Sequence, residues 1–460
     1  MFNGIKEASN FREIKNAIAI LEPFPGVFYG EMVEVALPNG EKRLGRVLES
    51  GKEAIVVQVF EGTTGISNEK SSVKFLDKPF LLGVSEAMLG RVFNGLGMPI
   101  DDYPYPIPEK QLDINGLAIN PMRRAYPNNV VETGITAIDL MDTLVRGQKL
   151  PIFSGSGLPH NEIVAQIIRQ ANIGEKEERF AIVFAAMGIK FDEALFFREA
   201  LENTASMDQV TMFLNLADDP PEERLIAPRC ALTLAEYLAF EKDMHVLAII
   251  GDMTNYCEAL RELSAARDEV PSRKGYPGYM YTDLANLYER CGRVKGSRGS
   301  ITMIPFLTMP NMDISHPIPD LTGYITEGQI VLSNVLHQKG IYPPVDLPTS
   351  LSRLMKDAIG EGLTREDHPN VANQLYASYA EVQRIRSLAD IIGEEELSER
   401  DKRFLEFGEK FEKRLLSQEK NENRSLQDSL EIAWEVLSIL PESQLHRISR
   451  KQIEKYYKRI

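Results

Sequence analysis

Short runs of alternating apolar and polar residues occupy the N-terminal part of the chain. They are rich in Val and Ile, are separated by turn sequences such as Pro-Asn-Gly at 38–40, and lie at 32–37, 43–50, 53–60 and 71–76. Several short strands joined by regular turns are typical of a small β-barrel. The pattern therefore predicts an N-terminal β-barrel over residues 1–76, with a β-rich edge of the following domain as the alternative.

Fully apolar runs alternate with helical segments between residues 77 and 354. The apolar runs are 149–155, 179–188, 209–217 and 244–252. The segments between them carry apolar residues at helical spacing. Strands that are apolar on both faces and joined by helices form parallel sheets covered on both sides. The pattern predicts a central α/β domain with a parallel sheet over 77–354.

Helical spacing of apolar residues dominates after residue 355, and the strand pattern is lost. The clearest stretches are 381–392, 398–416 and 425–440. We therefore predict a C-terminal α-helical domain over 355–460. The single tryptophan of the chain, Trp434, is expected to anchor its core.

Composition excludes several classes of function. The chain has 460 residues with 52 basic and 67 acidic side chains, a formal net charge of −15, which argues against a dedicated nucleic-acid binder. Three cysteines are too few for a disulfide framework, and the six histidines show no metal-ligand spacing, so no metal site is predicted.

Membrane insertion and secretion are not expected either. The longest apolar run near the middle, at 245–250, has the length of a strand and falls far short of the ~18 residues that span a bilayer. The first residues carry charge where a secretory signal has its apolar region. Any membrane contact is therefore predicted to be peripheral.

The stretch 153–162, with the sequence FSGSGLPHNE, joins a predicted strand to an amphipathic helix. This is the place of the phosphate loop in nucleotide-binding α/β domains. A working loop reads G-x-x-x-x-G-K-[ST], where the amides cradle the phosphates, Lys holds the β/γ-phosphates and the hydroxyl binds Mg²⁺. Here Pro159, His160 and Asn161 stand at the positions of the last Gly, the Lys and the hydroxyl residue.

These replacements remove the main nucleotide contacts of such a loop. Proline has no N–H to donate, and an ordinary histidine is mostly neutral at pH 7. The prediction is a degenerate and weak nucleotide site, with an unrelated Gly-rich turn as the alternative. Its residues would be Ser154, Gly155, Ser156, Gly157, Pro159, His160, Asn161 and, at the end of the apolar run 244–252, Asp252. An acid in the place of Asp252 holds the magnesium shell in working enzymes, but here a positional role is expected.

Long segments of the sequence resemble one family. They are FEGTTGIS (60–67), LGRVFNGLGMPID (89–101), LVRGQKLPIFSGSGLPHNE (144–162), the run 252–293, HPIPDLTGYITEGQI (316–330) and SLSRL (350–354). Together they resemble the B subunits of the V-type and archaeal A-type rotary ATPases, over essentially the whole chain. The F-type alpha subunit and the type III secretion ATPases keep an intact loop, and the catalytic A subunits carry a large insertion. Only the B-type pattern matches.

The resemblance implies a RecA-like central domain and an alternating ring of three A and three B subunits around an axle. By the same resemblance, Arg353 is the arginine finger that reaches into the ATP site of the catalytic A subunit. ATP or ADP and Mg²⁺ would bind at that interface, and this chain would hold no cofactor of its own. Further interface residues implied near it are Ser352, Tyr279, Tyr281 and Arg290.

The stretch 309–329 corresponds in the family to a loop that faces the axle. Asp313, His316 and Asp320 would form an acidic patch there against a basic coiled coil. The alternative is an ordinary surface loop before a strand.

The expected function is that of a non-catalytic, regulatory subunit of a V/A-type rotary ATPase or ATP synthase. It would couple ATP hydrolysis or synthesis to H⁺ or Na⁺ transport, with axle and peripheral stalk subunits as further partners. Its expected location is the cytoplasmic face of the membrane, as a peripheral part of the complex. The alternatives are a stand-alone ATPase in which His160 replaces the lysine, and a scaffold protein outside the rotary machine.

Overall fold

The N-terminal strands form an antiparallel β-barrel. The computed structural model describes residues 6–15, 18–173, 178–202 and 207–458. The first strands are β1 (Glu7–Ala8), β2 (Phe11–Lys15), β3 (Ile18–Leu21), β4 (Met32–Ala36), β5 (Lys42–Ser50), β6 (Ile55–Val59) and β7 (Ser72–Phe75). They pair in the order β1-β7-β4-β5-β6-β3-β2. Only Ser9 and Asn10 separate β1 from β2, so the two edges of the sheet must meet and the sheet curls on itself.

The central domain contains the remaining strands and, within the described ranges, eight α-helices. The strands are β8 (Leu81–Val84), β9 (Val92–Asn94), β10 (Lys110–Asp113), β11 (Arg124–Ala125), β12 (Val130–Val131), β13 (Leu144–Val145), β14 (Ile152–Ser154), β15 (Phe180–Ile189), β16 (Val210–Leu216), β17 (His245–Gly251), β18 (Gly292–Val294), β19 (Ser300–Thr308), β20 (Gly328–Val331) and β21 (Leu351–Ser352). The helices are α1 (Thr136–Asp139), α2 (His160–Gln170), α3 (Phe191–Glu202), α4 (Pro221–Phe240), α5 (Met253–Ala266), α6 (Met280–Tyr288), α7 (Pro317–Ile325) and α8 (Asn334–Gln338).

The main sheet of this domain has the order β21-β20-β14-β19-β17-β15-β16-β9. Every pairing from β20 to β9 is parallel, whereas β21 pairs antiparallel with β20 at the edge and β18 pairs antiparallel with β19. Successive residues of β15 pack on opposite faces of the sheet. Ile182 and Phe184 belong to the core that contains α2, and Val183 and Ala185 belong to the core that contains α4 and α5. Because the strands are parallel, the carboxyl ends of β14, β17 and β19 meet at one edge.

The C-terminal domain is helical and packs around Trp434. Its helices are α9 (His368–Ile392), α10 (Glu399–Lys410), α11 (Leu426–Leu437) and α12 (Arg450–Tyr456), and a π-helical turn at Phe411–Leu416 continues α10. Trp434 is only 2% exposed, which confirms its predicted core position. The predicted fold class, a β-barrel followed by an α/β domain and a helical domain, is thus confirmed. The exact boundaries at 76/77 and 354/355 stay predictions.

The helices of the described ranges were expected to be unsuited to a bilayer. None of them is both long and apolar enough to cross a membrane.

The buried carboxylate of Asp367 holds Trp434 in place. The indole Nε1 of Trp434 donates a 2.6 Å hydrogen bond to Oδ2 of Asp367, which is fully buried. Arg365 donates two further bonds to the same carboxylate, at 2.6 and 2.8 Å. Burial alone would raise the pKa of Asp367, but the bonds from Arg365 and Trp434 outweigh it and leave that pKa below its usual value.

Replacing Asp367 with Ala is expected to destabilise the helical domain by about 3–5 kcal/mol, because it leaves Arg365 and the indole N–H without their buried partner. Urea unfolding followed by fluorescence checks this, since Trp434 is the only tryptophan. Asp390→Ala on the exposed side of α9 is the control and should change the unfolding free energy by no more than about 0.5 kcal/mol. Equal effects of the two variants would contradict the assignment.

Candidate functional site

The loop after β14 occupies the place of a phosphate loop. Ser154, the last residue of β14, is in register with Thr308 of the neighbouring parallel strand β19. The loop then turns into α2, which begins at His160 with Pro159 at its N-cap position and no side-chain capping bond. The strand–loop–helix geometry of a nucleotide-binding domain is therefore present.

Two amides of this loop form hydrogen bonds within the loop. The amide of Leu158 donates to the carbonyl of Gly155 at 3.1 Å, and the amide of His160 donates to the carbonyl of Leu158 at 2.9 Å. Pro159 has no amide hydrogen to offer. The His160 ring nitrogen Nδ1 lies 3.1 Å from Oγ of Ser154, so this side chain is also used within the loop.

Met312 covers the loop from the segment that follows β19. Both Asn311 and Met312 have left-handed backbone conformations, with φ of 55° and 56°. This turn brings the Met312 sulfur so close to Gly155 that a Cβ at position 155 would lie 1.7 Å from Sδ. A larger residue at 155 would displace the Met312 side chain from this position, whereas Ser156 and Gly157 are exposed.

The remaining polar groups of the predicted site hold neighbouring elements together. Asp252 caps α5 by accepting the amide of Thr254 at 2.7 Å, and both its oxygens lie 3.1 Å from the amide nitrogen of Thr308. Asn161 donates to Glu193 Oε1 at 2.9 Å. With the Lys and the hydroxyl ligand replaced and Asp252 occupied by two backbone amides, these residues do not fit a Mg²⁺–nucleotide site.

Arg353 lies directly after the edge strand β21 and is exposed, with its guanidinium at the surface. Its Nη1 donates to the carbonyl of Thr326 at 2.9 Å and lies 3.5 Å from the carbonyl of Gly323, at the C-terminal end of α7. Carbonyls at a helix C-terminus carry partial negative charge and attract a cation. Among the described residues, no carboxylate lies within ion-pair distance of this guanidinium, so its charge is not neutralised within that part of the chain.

The backbone before Arg353 is held by a buried hydrogen-bond network. Ser352 is 7% exposed, and its hydroxyl donates to the carbonyl of Thr143 at 2.9 Å. The Gln148 side chain donates to Ser352 Oγ at 2.9 Å and to the carbonyl of Glu327 at 3.0 Å. The amide of Arg353 donates to that same carbonyl at 3.0 Å. Ser352 is thus a buried anchor of the strand that presents Arg353.

Sequence reasoning missed the ion pair on which this network depends. Lys149 is 1% exposed, and its Nζ donates to Glu327 Oε1 at 2.7 Å while its amide donates to Oε2 at 2.8 Å. Glu289 lies on the other side, with its Oε1 3.5 Å from the same Nζ. The signal in the sequence is a lysine within the apolar run 149–155, which indicates a buried charge. A buried charge needs a carboxylate partner.

The residues predicted for a subunit interface differ in accessibility. Tyr279 and Tyr281, at the start of α6, are 37% and 48% exposed and stay candidates for such contacts. The prediction for Arg290 was wrong, because this side chain is completely buried. It forms two 2.7 Å bonds with the carboxylate of Glu236 and one of 2.8 Å to the carbonyl of Ile114, so it joins elements within the chain.

The predicted axle-facing patch is partly neutralised. Asp313 pairs with Lys274 and Asp320 with Arg273, each at 3.3 Å. The prediction that the His316 side chain contacts an axle was wrong, because it is 6% exposed and its Nδ1 accepts the amide of Ile318 at 3.4 Å as the N-cap of α7. Asp313 and Asp320 stay candidates, as charges that are shared with two basic neighbours.

The comparisons with known proteins agree with this architecture. Family models match the beta-barrel domain of the ATP synthase alpha/beta family at residues 18–77, its nucleotide-binding domain at 134–352, and the C-terminal domain of V and A type ATP synthase at 357–457.

Relatives match over nearly the whole chain. The B subunit of the A-type ATP synthase of Aeropyrum pernix is 60% identical, over 99% of this chain and 98% of that protein. The V-type ATP synthase beta chain of Halothermothrix orenii is 58% identical over 98% of both. The solved ATP synthase subunit NeqB from Nanoarcheaum equitans is 42% identical with a TM-score of 0.73, over 88% of this chain and 98% of that one. The chain therefore belongs to the ATP synthase alpha/beta family, among the B subunits of the A-type and V-type rotary ATPases.

Proposed function

We propose that this chain is a non-catalytic B subunit that completes the ATP site of a neighbouring catalytic A subunit with Arg353. The observation that carries the proposal is the surface guanidinium of Arg353, held by carbonyls of α7 and paired with no carboxylate in the described ranges. In the assembled complex, three A and three B subunits alternate around the axle, and ATP or ADP binds with Mg²⁺ at the A–B interface.

The chemistry of phosphoryl transfer explains why an arginine suits this place. Negative charge spreads over the phosphoryl oxygens in the transition state, and a fixed positive charge nearby stabilises it. The planar fork of an arginine guanidinium can bridge two oxygens. The contacts of Arg353 to Thr326 and Gly323 use Nη1 and Nη2 only, so the Nε–H has no partner among the described residues. Neutral carbonyls restrain the side chain without neutralising it.

The chain's own loop supports the non-catalytic half of the proposal. The amides of Leu158 and His160 bond within the loop, Met312 covers Gly155, and the His160 ring contacts Ser154. Any nucleotide at this loop would lack a lysine, a magnesium-binding hydroxyl and one amide donor. The subunit would therefore contribute to the reaction by placing Arg353. Closure of the A–B interface would bring Arg353 to the nucleotide, and this conformational change would be coupled to rotation of the axle.

The remaining partners follow from membership of such a complex. The proposed subunit contacts the axle, with Asp313 and Asp320 as candidates, and the peripheral stalk. It lies on the cytoplasmic face of the membrane and couples ATP hydrolysis or synthesis to the transport of H⁺ or Na⁺ through other subunits. A scaffold outside the rotary machine would be favoured instead if the chain failed to assemble with any catalytic partner of this family.

Replacing Arg353 with Ala is expected to slow steady-state ATP hydrolysis by the reconstituted complex by at least ~100-fold, toward the roughly 10³–10⁵-fold effects of arginine fingers. Mass measurement must show that the mutant complex assembles. Lys356→Ala is the matched control, because Lys356 is an exposed cation close to Arg353 in the chain, and it should leave the rate within about twofold. A full rate with Arg353→Ala would refute the finger assignment.

Replacing His160 with Ala should leave hydrolysis by the same complex within about twofold of wild type, since the contacts of His160 are with its own loop and the ring of Phe306. The isolated wild-type chain should show no turnover above background. Turnover by the isolated chain that disappears in His160→Ala would instead establish a stand-alone ATPase with an unusual loop.

A further inference from the structure

A cavity of about 790 Å³ lies between the barrel and the central domain. Residues of β5, of the segment after β7 and of the strands β8 and β9 surround it, so both domains contribute to its wall. The apolar part of that wall includes Leu44, Phe80, Leu82, Leu96 and Met98. The cavity is remote in sequence from β21, and the proposed function makes no use of it.

One carboxylate in this wall lacks a partner. Glu223, in the first turn of α4, is 7% exposed and lines the cavity. No described residue donates a hydrogen bond to its carboxylate, whereas Glu61, also in the wall, accepts the amide of Leu44 at 3.0 Å. A carboxylate that is taken out of water without a hydrogen-bond donor is strongly unfavourable.

The acidic groups around Glu223 add to this cost. Burial is the main cause that raises the pKa of Glu223 to about 7, and the nearby carboxylates of Asp219, Glu61 and Glu222 act in the same direction. Each of these neighbours disfavours the charged form of Glu223.

The basic groups of the wall do not compensate for this. Two lysines line the cavity, of which Lys42 pairs with Glu34 at 2.9 Å. The other is Lys78, on the linker that follows the barrel, and it forms no ion pair with Glu223. Tyr105 lines the cavity from the central domain, and its hydroxyl donates a 2.8 Å hydrogen bond to the carbonyl of Gly83. The carboxylate of Glu223 therefore lacks a cation.

We propose that this cavity binds an aliphatic ammonium ligand, with its ammonium group on the Glu223 carboxylate and its alkyl chain along the apolar wall. An ammonium supplies the three N–H donors and the positive charge that Glu223 lacks. The hydrocarbon part matches the Leu, Phe and Met side chains, as is usual for small-molecule sites with few polar groups. An anion would meet the carboxylates of Glu223 and Glu61, and a neutral alcohol would leave Glu223 without a countercharge.

The test uses the full-length chain and n-hexylammonium as the probe, with 1-hexanol and hexanoate as matched controls for the alkyl chain. Binding is measured by isothermal titration calorimetry and by saturation-transfer NMR at pH 8. Hexylammonium is expected to bind at least about tenfold more tightly than either control. Glu223→Gln should weaken its binding at least about tenfold, which is the usual range for losing a charged hydrogen bond.

Two further variants keep the test decisive. Glu222→Gln is the matched control, because Glu222 is 8% exposed with a pKa also raised to about 7 by burial, yet it lies outside the cavity wall. It should not weaken binding, since Glu222 disfavours the charged form of Glu223. Leu44→Trp fills the cavity from the barrel side without altering a carboxylate, and it should abolish binding. Circular dichroism must show that each variant is folded.

The pH dependence gives an independent readout. Glu223 is mostly protonated below its pKa of about 7 and ionised above it. The ammonium stays charged throughout, so its affinity should rise about tenfold between about pH 6 and pH 8. The proposal is overturned if the three probes bind equally, if Glu222→Gln and Glu223→Gln weaken binding alike, or if no probe binds at millimolar concentration.

Discussion

The ion pair between the buried Lys149 and the partly exposed Glu327 holds the backbone that presents Arg353. Glu327 accepts both the side chain and the backbone amide of Lys149, and its own carbonyl accepts the amide of Arg353. The pair therefore joins the segment that enters β14 to the edge strand β21. Removing one partner of a fully buried ion pair costs about 3–5 kcal/mol, and the 30% exposed side chain of Glu327 places this pair below that range. Its main consequence here is a defined position for a charge at the surface.

The carboxyl ends of the parallel strands are where the loop after β14 and Asp252 lie, and this position explains their structural roles. Parallel strands end together, so groups that would surround a nucleotide must find other partners when no nucleotide is held. Asp252 takes the amides of Thr254 and Thr308, and Met312 takes the space above Gly155. In the proposed function, β14 and its loop have a structural role in this chain, and the neighbouring subunit binds and hydrolyses ATP.

The period of the apolar residues was sufficient to predict the three kinds of domain. Strands at 32–37 and 244–252 and helices after 355 lie within a few residues of their predicted places, since burial on one face or two imposes its own spacing. The departure from the phosphate-loop motif was also readable, because it depends on single residue types at Pro159, His160 and Asn161. The role proposed for Arg353 could not be read from its own segment and needed the resemblance to a family.

Contacts between distant segments could not be predicted in this way. Arg290 is a charged residue in a run rich in Gly and Tyr, and only the fold shows that Glu236 and Ile114 enclose it. His316 looks like a surface histidine until α7 is seen to begin directly after it.

Whether Arg353 acts on a nucleotide held by another subunit is tested most directly by a structure of the assembled complex with Mg-ADP and aluminium fluoride. We expect the Arg353 guanidinium within hydrogen-bond distance, roughly 3 Å, of the fluoride at the A–B interface. Nucleotide bound at residues 154–161 of this chain, with Arg353 directed to solvent, would contradict this role.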